Sequence, residues 1–252
     1  MVWVKERADT RDPLPVWVRH EHLARYQFAS RFVAGKVVVD CACGDGTGSR
    51  IFAEAGAAMV HAFDVSAQAA GANSFHERVR FAVGDAARLP LPNNFADVYI
   101  SLETIEHVNE DQAVLREVVR VLRTDGVFIC STPNRVVYNP GKSLRSKPWN
   151  PFHIREYSQS EFSELLSNYF GQIEWFGQNP RSPTTTRLFE ALGRVLPLHG
   201  AVRLNQVCKL PRFLYDKLED HRVLAGDTPG IFEYVVAVCR LPISTRPPMP
   251  EA

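Results

Sequence analysis

A chain of 252 residues, 45% hydrophobic and 23% charged, is long enough to bury one large α/β core. Its net charge of +1 excludes a global electrostatic case for a nucleic acid or membrane partner. Five cysteines without CxxC spacing exclude a disulfide framework, no apolar run reaches membrane-spanning length, and the opening MVWVKERADTRDP has no apolar signal core, so a cytoplasmic protein is expected.

The charge is unevenly spread. Residues 1–133 carry 14 Lys and Arg against 17 Asp and Glu, whereas residues 134–252 carry 15 against 11. The mildly basic second half hints at an anionic acceptor.

Residues 14–33 are expected to form an amphipathic helix, with Trp17, Leu23, Ala24, Phe28 and Phe32 recurring at helical spacing. Strands and helices then alternate. KVVVD (36–40), MVHAFD (59–64) and VRFAVGD (79–85) read as strands that each end in an acid. GSRIFAEAG (48–56) is a helix between the first two. FADVYIS (95–101) is a fourth strand, DQAVLREVVRVLR (111–123) a helix closed by the turn TDG, and VFICSTPN (127–134) a fifth strand. This alternation predicts βαβ units on a parallel sheet, whose ligands bind outside the carboxyl ends of the strands.

The second half is less regular. Residues 135–157 form a polar loop, SQSEFSELLSNYF (158–170) is a helix with a capping box at Ser158 and Glu161, and QIEWFGQ (172–178) and FEYVVAVCR (232–240) are a sixth and a seventh strand. The insertion at 180–228, about fifty residues long, is too long for a bare loop and contains the helical patterns RLFEALGRVL and PRFLYDKLED. The tail 241–252 is proline-rich and expected to be disordered. One domain over 1–240 follows, with a cofactor-binding half at 36–134 and an acceptor half at 135–240.

The run VVVDCACGDGTGS (37–49) carries the strongest signal. A strand ends in Asp40, and a loop of small residues (Ala42, Gly44, Gly46, Gly48) opens a helix, so that backbone N–H groups can approach a ligand closely. About twenty residues beyond the glycines, Asp64 is placed to bind both hydroxyls of a ribose. Asp85 ends the third strand, where a side chain reaches an adenine edge. A dinucleotide fingerprint fits less well, because Ser49 stands at its third glycine position.

The segment SLETIEHVNED (101–111) follows the fourth strand. On a helical turn Glu103, Glu106 and His107 would share one face. They read as a solvated helix start, an acid/base group in which His107 and Glu106 act, or metal ligands. A fourth ligand, His153 in NPFHIREYS (150–158), arrives at the same sheet edge after the fifth strand, and two carboxylates with two imidazoles suit a first-row divalent ion. Tyr138, Asn134 and Arg135 are placed to touch an acceptor, and Arg145, Lys147 and Arg155 to bind phosphate. Six Lys and Arg between 181 and 212 lie beside the stripe Leu188, Phe189, Leu192, Val195 and Leu196. A lid helix with one wet face explains them, and RNA backbone, a lipid-linked pyrophosphate or peripheral contact with an anionic membrane are the alternatives.

The run 37–49, with Asp64 and GDAARLP (84–90), resembles the cofactor motifs of class I S-adenosylmethionine-dependent methyltransferases. The resemblance covers roughly residues 20–240 and implies a Rossmann-like, mostly parallel sheet of seven strands with a helical insertion between strands 6 and 7. It further implies that Ala42, Gly44 and Gly46 line the methionine part of S-adenosylmethionine, with Asp40 near its amino group. Asp64 would hold the ribose, and Asp85 with Ala86 the adenine. Ala42 departs from the commonest form, which has glycine there. That variant, together with RYQFAS (25–30), resembles bacterial methyltransferases that accompany glycan biosynthesis, implying a sugar or glycan hydroxyl as acceptor. ExxEH, then TPN, then a later His resembles the small-RNA 3′-terminal 2′-O-methyltransferases and, in ExxEH, the ubiquinone-pathway catechol O-methyltransferases. By that resemblance Glu103, Glu106, His107 and His153 hold magnesium or manganese, and an RNA end or a catechol is an alternative acceptor. A binding protein that kept the fold but lost catalysis is the remaining alternative.

Overall fold

The computed structural model describes residues 16–67, 76–195, 222–227 and 230–243. Eight strands form one sheet: β1 (Val37–Cys41), β2 (Met59–Asp64), β3 (Val79–Val83), β4 (Ala96–Leu102), β5 (Leu122–Pro133), β6 (Phe170–Arg181), β7 (Val223–Ala225) and β8 (Ile231–Pro242). Their order is β3-β2-β1-β4-β5-β8-β6-β7. The first five run parallel, and β8 runs antiparallel to both β5 and β6. The strand order reverses between β1 and β4, so the loops leaving these strands part and open a crevice at their carboxyl ends.

The expected seven strands become eight because β7 adds three residues along Phe176–Gln178 of β6. It covers an otherwise open row of backbone donors and acceptors. The predicted helix 111–123 ends at Val121, and the TDG turn is a bulge inside β5: Ala96 pairs with Leu122 and Val98 with Val127, so residues 123–126 loop out.

Helices α1 (Val16–Ser30), α2 (Thr47–Glu54), α3 (Asp111–Val121), α4 (Arg135–Tyr138), α5 (Gln159–Ser167) and α6 (Pro183–Val195) flank the sheet. The central strands are apolar on both faces, as strands covered on both sides must be. Successive residues of a strand alternate between two core layers. Tyr99 and Phe128 join Leu115, Val118, Phe162 and Phe170 on one side, and Ile100 and Ile129 join Phe28, Val33 and Phe52 on the other. The capping box of α5 is present: the Ser158 hydroxyl accepts from the Glu161 amide, and the Glu161 carboxylate accepts from the Ser158 amide. Cys41, Cys43, Cys130 and Cys239 are buried, free thiols, while Cys208 lies outside the described residues.

Of the 180–228 insertion, RLFEALGRV falls within α6, while PRFLYDKLED lies outside the described residues, as do the first fifteen residues and most of the tail. Helix α6 sits on the loop after α4 with backbone against backbone. A Cβ placed on Gly193 would lie 1.9 Å from the carbonyl oxygen of Pro140. Gly193→Ala is therefore expected to push α6 off this loop at a cost of about 1–3 kcal/mol, read by thermal melting. An unchanged melt would show that the helix does not pack there. No helix among the described residues is long and apolar enough to cross a membrane.

Candidate functional site

The loop between β1 and α2 is shaped by left-handed backbone at three of its residues. Ala42, Gly44 and Gly46 have φ of 60°, 56° and 79°. At Ala42 this conformation costs roughly 1–2 kcal/mol that a glycine would not incur. The loop is tied across to β2, where the Cys43 amide donates to the Phe63 carbonyl at 2.9 Å and the Gly44 amide to Asp64 Oδ2 at 3.1 Å. The other oxygen of Asp64 accepts from the Ser66 amide at 2.9 Å, which orients the carboxylate at the end of its strand.

Asp40 is buried and accepts from the Ser49 hydroxyl at 2.5 Å. Burial pushes its carboxyl up to about 7, with the Asp64 charge adding to the rise and the Ser49 bond opposing it. Ser49, at the position that spoils the dinucleotide fingerprint, is thus the partner of this carboxyl, a role the sequence reading missed. Asp85 is exposed one strand further on, and its Oδ1 accepts from the Ala87 amide at 2.9 Å. Ala86 packs against the core from between them. Val65, which follows Asp64 in the chain, is 68% exposed. The three acids therefore stand at the carboxyl edge of β1, β2 and β3, beside the N-terminus of α2, where the Thr47 amide donates to Asp45 Oδ1 at 3.0 Å.

The ETIEH segment does not form one helical turn. Glu103 has a φ of 52°, and only Ile105–His107 are helical, as a 3₁₀ turn. The two glutamates consequently point to different partners. Glu103 accepts from the Ser131 hydroxyl at 2.6 Å and lies 3.9 Å from Nε of Arg25. Glu106 is fully buried, and its Oε2 accepts from the Thr132 hydroxyl at 3.0 Å. Burial, and then the charge of Glu103, push the Glu106 carboxyl well above the usual carboxylate range. Its Oε1 has no hydrogen-bond partner among the described residues. Ser131 and Thr132 are polar residues in a buried strand, and that was the readable signal for both contacts.

The loop that carries His153 is hung from the same residue. The Ile154 and Arg155 amides both donate to the Glu106 carbonyl, at 2.8 and 3.3 Å. His153 is thereby placed beside His107, with ring centroids 4.8 Å apart. One donor atom from each of Glu106, His107 and His153 falls within 4.8 Å of the others. Nδ1 of His107 lies 3.1 Å from the Phe152 carbonyl, to which it donates, and Nε2 lies 3.9 Å from Glu106 Oε1. A buried carboxylate oxygen without a partner, facing two imidazoles, fits a divalent cation. Glu103 stands outside this close group, held on Ser131 and Arg25.

Other predicted acceptor contacts are occupied otherwise. Asn134 is buried, donates to the Phe232 carbonyl at 2.9 Å and caps α4. Arg135 pairs with both oxygens of Glu161 at 2.8 Å, and Arg155 pairs with Asp111 at 2.6 Å. These are structural ties, favoured because a polar group at a buried strand end must find a partner. Tyr138 lies 5.5 Å from the Tyr234 ring, and Arg145 and Lys147 sit on the loop toward His153.

Helix α1 buries Ala24, Phe28 and Ala29 and, beside them, two charged residues, Glu21 and Arg25. Arg25 is 1% exposed, lies under the Tyr234 ring at 4.3 Å and donates to Gln178. Glu21, fully buried, accepts from Asn179 at 2.7 Å and from the Tyr234 hydroxyl at 3.1 Å.

Residues 39–130 match the family described as "Methyltransferase domain". A probable S-adenosylmethionine-dependent methyltransferase of Mycolicibacterium smegmatis is 35% identical over 158 residues, 63% of this chain and 60% of that one. A Mycobacterium tuberculosis protein of like name is 36% identical over 151 residues, 60% of this chain and 53% of its own length. The chain thus spans less than two thirds of either mycobacterial relative. The ubiquinone/menaquinone biosynthesis C-methyltransferase UbiE of Caulobacter sp. is 35% identical over 176 residues, 63% of this chain and 68% of that one. Among solved structures, a Burkholderia thailandensis 1,6-didemethyltoxoflavin-N1-methyltransferase bound to S-adenosylhomocysteine superposes with a TM-score of 0.56 at 19% identity. That match covers 92% of this chain and 82% of the other, and it shows a common fold.

Proposed function

Because the chain belongs to the class I S-adenosylmethionine-dependent methyltransferases, we propose that it moves the methyl group of that cofactor onto a hydroxyl of a sugar or glycan, with a divalent cation assisting. The observation that carries the oxygen acceptor is the Glu106–His107–His153 group, with its unpartnered buried carboxylate oxygen at the carboxyl edge of the sheet. The glycan assignment rests on the resemblance of ACG and RYQFAS. In this reading Asp64 accepts from the ribose hydroxyls, Asp85 and Ala86 border the adenine, and Asp40 faces the methionine ammonium above Ala42, Gly44 and Gly46.

The chemistry asks little of the protein. The acceptor oxygen attacks the methyl carbon in line, the carbon–sulfur bond breaks, and its electron pair leaves on sulfur as S-adenosylhomocysteine. The hydroxyl proton must go to a base, and with no ion on the cluster an imidazole nitrogen takes it. A magnesium or manganese ion held by Glu106, His107 and His153 would instead lower the pKa of the hydroxyl and orient it, and the proton would then leave to water. Glu103 enters through its charge on Glu106. A quinone precursor is the second acceptor class, favoured by the 35% identity to a UbiE protein. There, as the name C-methyltransferase says of that relative, the methyl would go to carbon, and the same base would take a phenolic proton to make a ring carbon nucleophilic.

Glu106→Gln and His153→Ala are expected to lower kcat by about 10²–10⁴ while leaving S-adenosylhomocysteine binding within about twofold. Calorimetric titration of Mn²⁺ into the S-adenosylhomocysteine-saturated protein should show one site in wild type and none in His153→Ala. Full turnover in both variants would sink the reading. Lost turnover without Mn²⁺ binding would leave the histidines as the base and remove the cation.

A further inference from the structure

His153 has partners on both ring nitrogens, and one backbone amide decides what they do. The Phe152 N–H can only donate, and it donates to Oδ1 of Asn150 at 3.0 Å. The side-chain amide of Asn150 is thereby oriented, and its Nδ2 is the atom 2.8 Å from Nε2 of His153. An NH₂ group donates, so Nε2 must accept and carries no proton. The ring proton therefore sits on Nδ1, which lies 2.6 Å from Oε1 of Glu156. Glu156 is 2% exposed, and its other oxygen accepts from Nδ2 of Asn139, whose own Oδ1 accepts from the Trp149 amide at 3.0 Å. The carboxylate is thus fixed from behind by an amide whose orientation is also set by backbone.

From this geometry we propose that Glu156 is a positioning residue, holding the His153 imidazole with its proton on Nδ1 and its Nε2 lone pair toward the acceptor side. Asn150 occupies that lone pair until an acceptor hydroxyl or a cation displaces it. A carboxylate behind an imidazole fixes its tautomer and raises the basicity of the far nitrogen, whether that nitrogen binds a proton or a metal. The inference rests on the reading of the cluster as the place where the acceptor is activated. Neither Glu156 nor Asn150 stands out in sequence, since the first lies between Arg155 and Tyr157 and the second before a proline.

Glu156→Gln tests it. The oxygen of the new amide stays with Asn139, its NH₂ turns to His153, and Nδ1 must then accept. The proton is expected to move to Nε2, the bond from Asn150 to break, and kcat to fall about 10–100-fold with KM for the cofactor unchanged. The direct readout is a two-bond ¹H–¹⁵N correlation spectrum of the histidine rings, assigned by loss of the His153 signal in His153→Asn. A proton on Nε2 in wild type overturns the proposal, as does a folded Glu156→Gln variant that keeps it on Nδ1. Should that variant fail to fold, Asn150→Ala decides instead. Retention of Nδ1–H there supports Glu156 as the determinant, and its transfer to Nε2 overturns it. A tautomer that follows Glu156 in a protein that binds no Mn²⁺ and methylates no acceptor supports the positioning role and retires the acceptor-activating reading.

Discussion

Affinity for S-adenosylhomocysteine is expected to rise about tenfold for each pH unit between pH 5 and pH 7, then level off. The reason is Asp40. Burial raises its carboxyl from 3.8 to about 7, so the cofactor-free protein holds it protonated in mildly acidic solution. With the ligand ammonium beside it, as proposed, binding needs the carboxylate and releases one proton below pH 7. The same shift sets a sign for stability. A folded-state value above the unfolded one stabilises the protein fully below pH 3.8, and the contribution is lost as pH rises through 7. The loss amounts to about 4 kcal/mol at 1.36 kcal/mol per unit. Asp40→Asn should therefore melt higher than wild type at pH 8 without cofactor, while losing the pH slope of binding. Calorimetry at pH 6 in two buffers of different ionisation enthalpy reads the released proton directly. A binding constant independent of pH, with no proton released, would take Asp40 out of the site.

The second large effect is expected at Arg25→Met, which should cost about 3–5 kcal/mol in denaturant unfolding. Arg25 is sealed beneath Tyr234, and the carboxylates of Glu103 and Glu21 stand around it. Burial alone would lower its affinity for its proton, but Glu103 above all, with the groups around it, drives the value up. Without the guanidinium, Glu103 is left beside Glu106 with no counter-charge. Adding Glu103→Gln to Arg25→Met should recover part of the loss, because the stranded charge is gone. A single variant as stable as wild type, or a double variant no better than the single one, would show that the pair carries no such burden.

The sheet and the cofactor loop were legible because both depend on short-range rules. Apolar runs of five to seven residues mark β1, β2 and β4, and small residues mark the loop where φ turns positive. The i, i+3, i+4 reading of Glu103, Glu106 and His107 presumed a helix from Glu103, and the left-handed backbone there sends that side chain to Ser131 instead. Helix α1 was legible as a helix, but its buried arginine and glutamate were not, since their partners Gln178 and Asn179 lie more than 150 residues away. Asn134 and Arg135 read as acceptor contacts because a polar loop after a strand invites that reading, while a cap and an ion pair satisfy them locally.

The segment carrying His153 is suspended from main-chain groups: the Glu106 carbonyl receives two of its amides, and Asn150 is oriented by a third. None of these bonds depends on the side chains of Phe152 and Ile154, which are 46% and 39% exposed at the surface beside the cluster. Those two positions can be exchanged for any residue but proline, which lacks the N–H, without removing the bonds that hold the groups proposed to act on the acceptor. On the proposed reading of the cluster, changes at this rim alter which acceptor is welcomed while the activating groups stay in place, and a library at Phe152 and Ile154 that leaves out proline is a natural starting point for redirecting the enzyme.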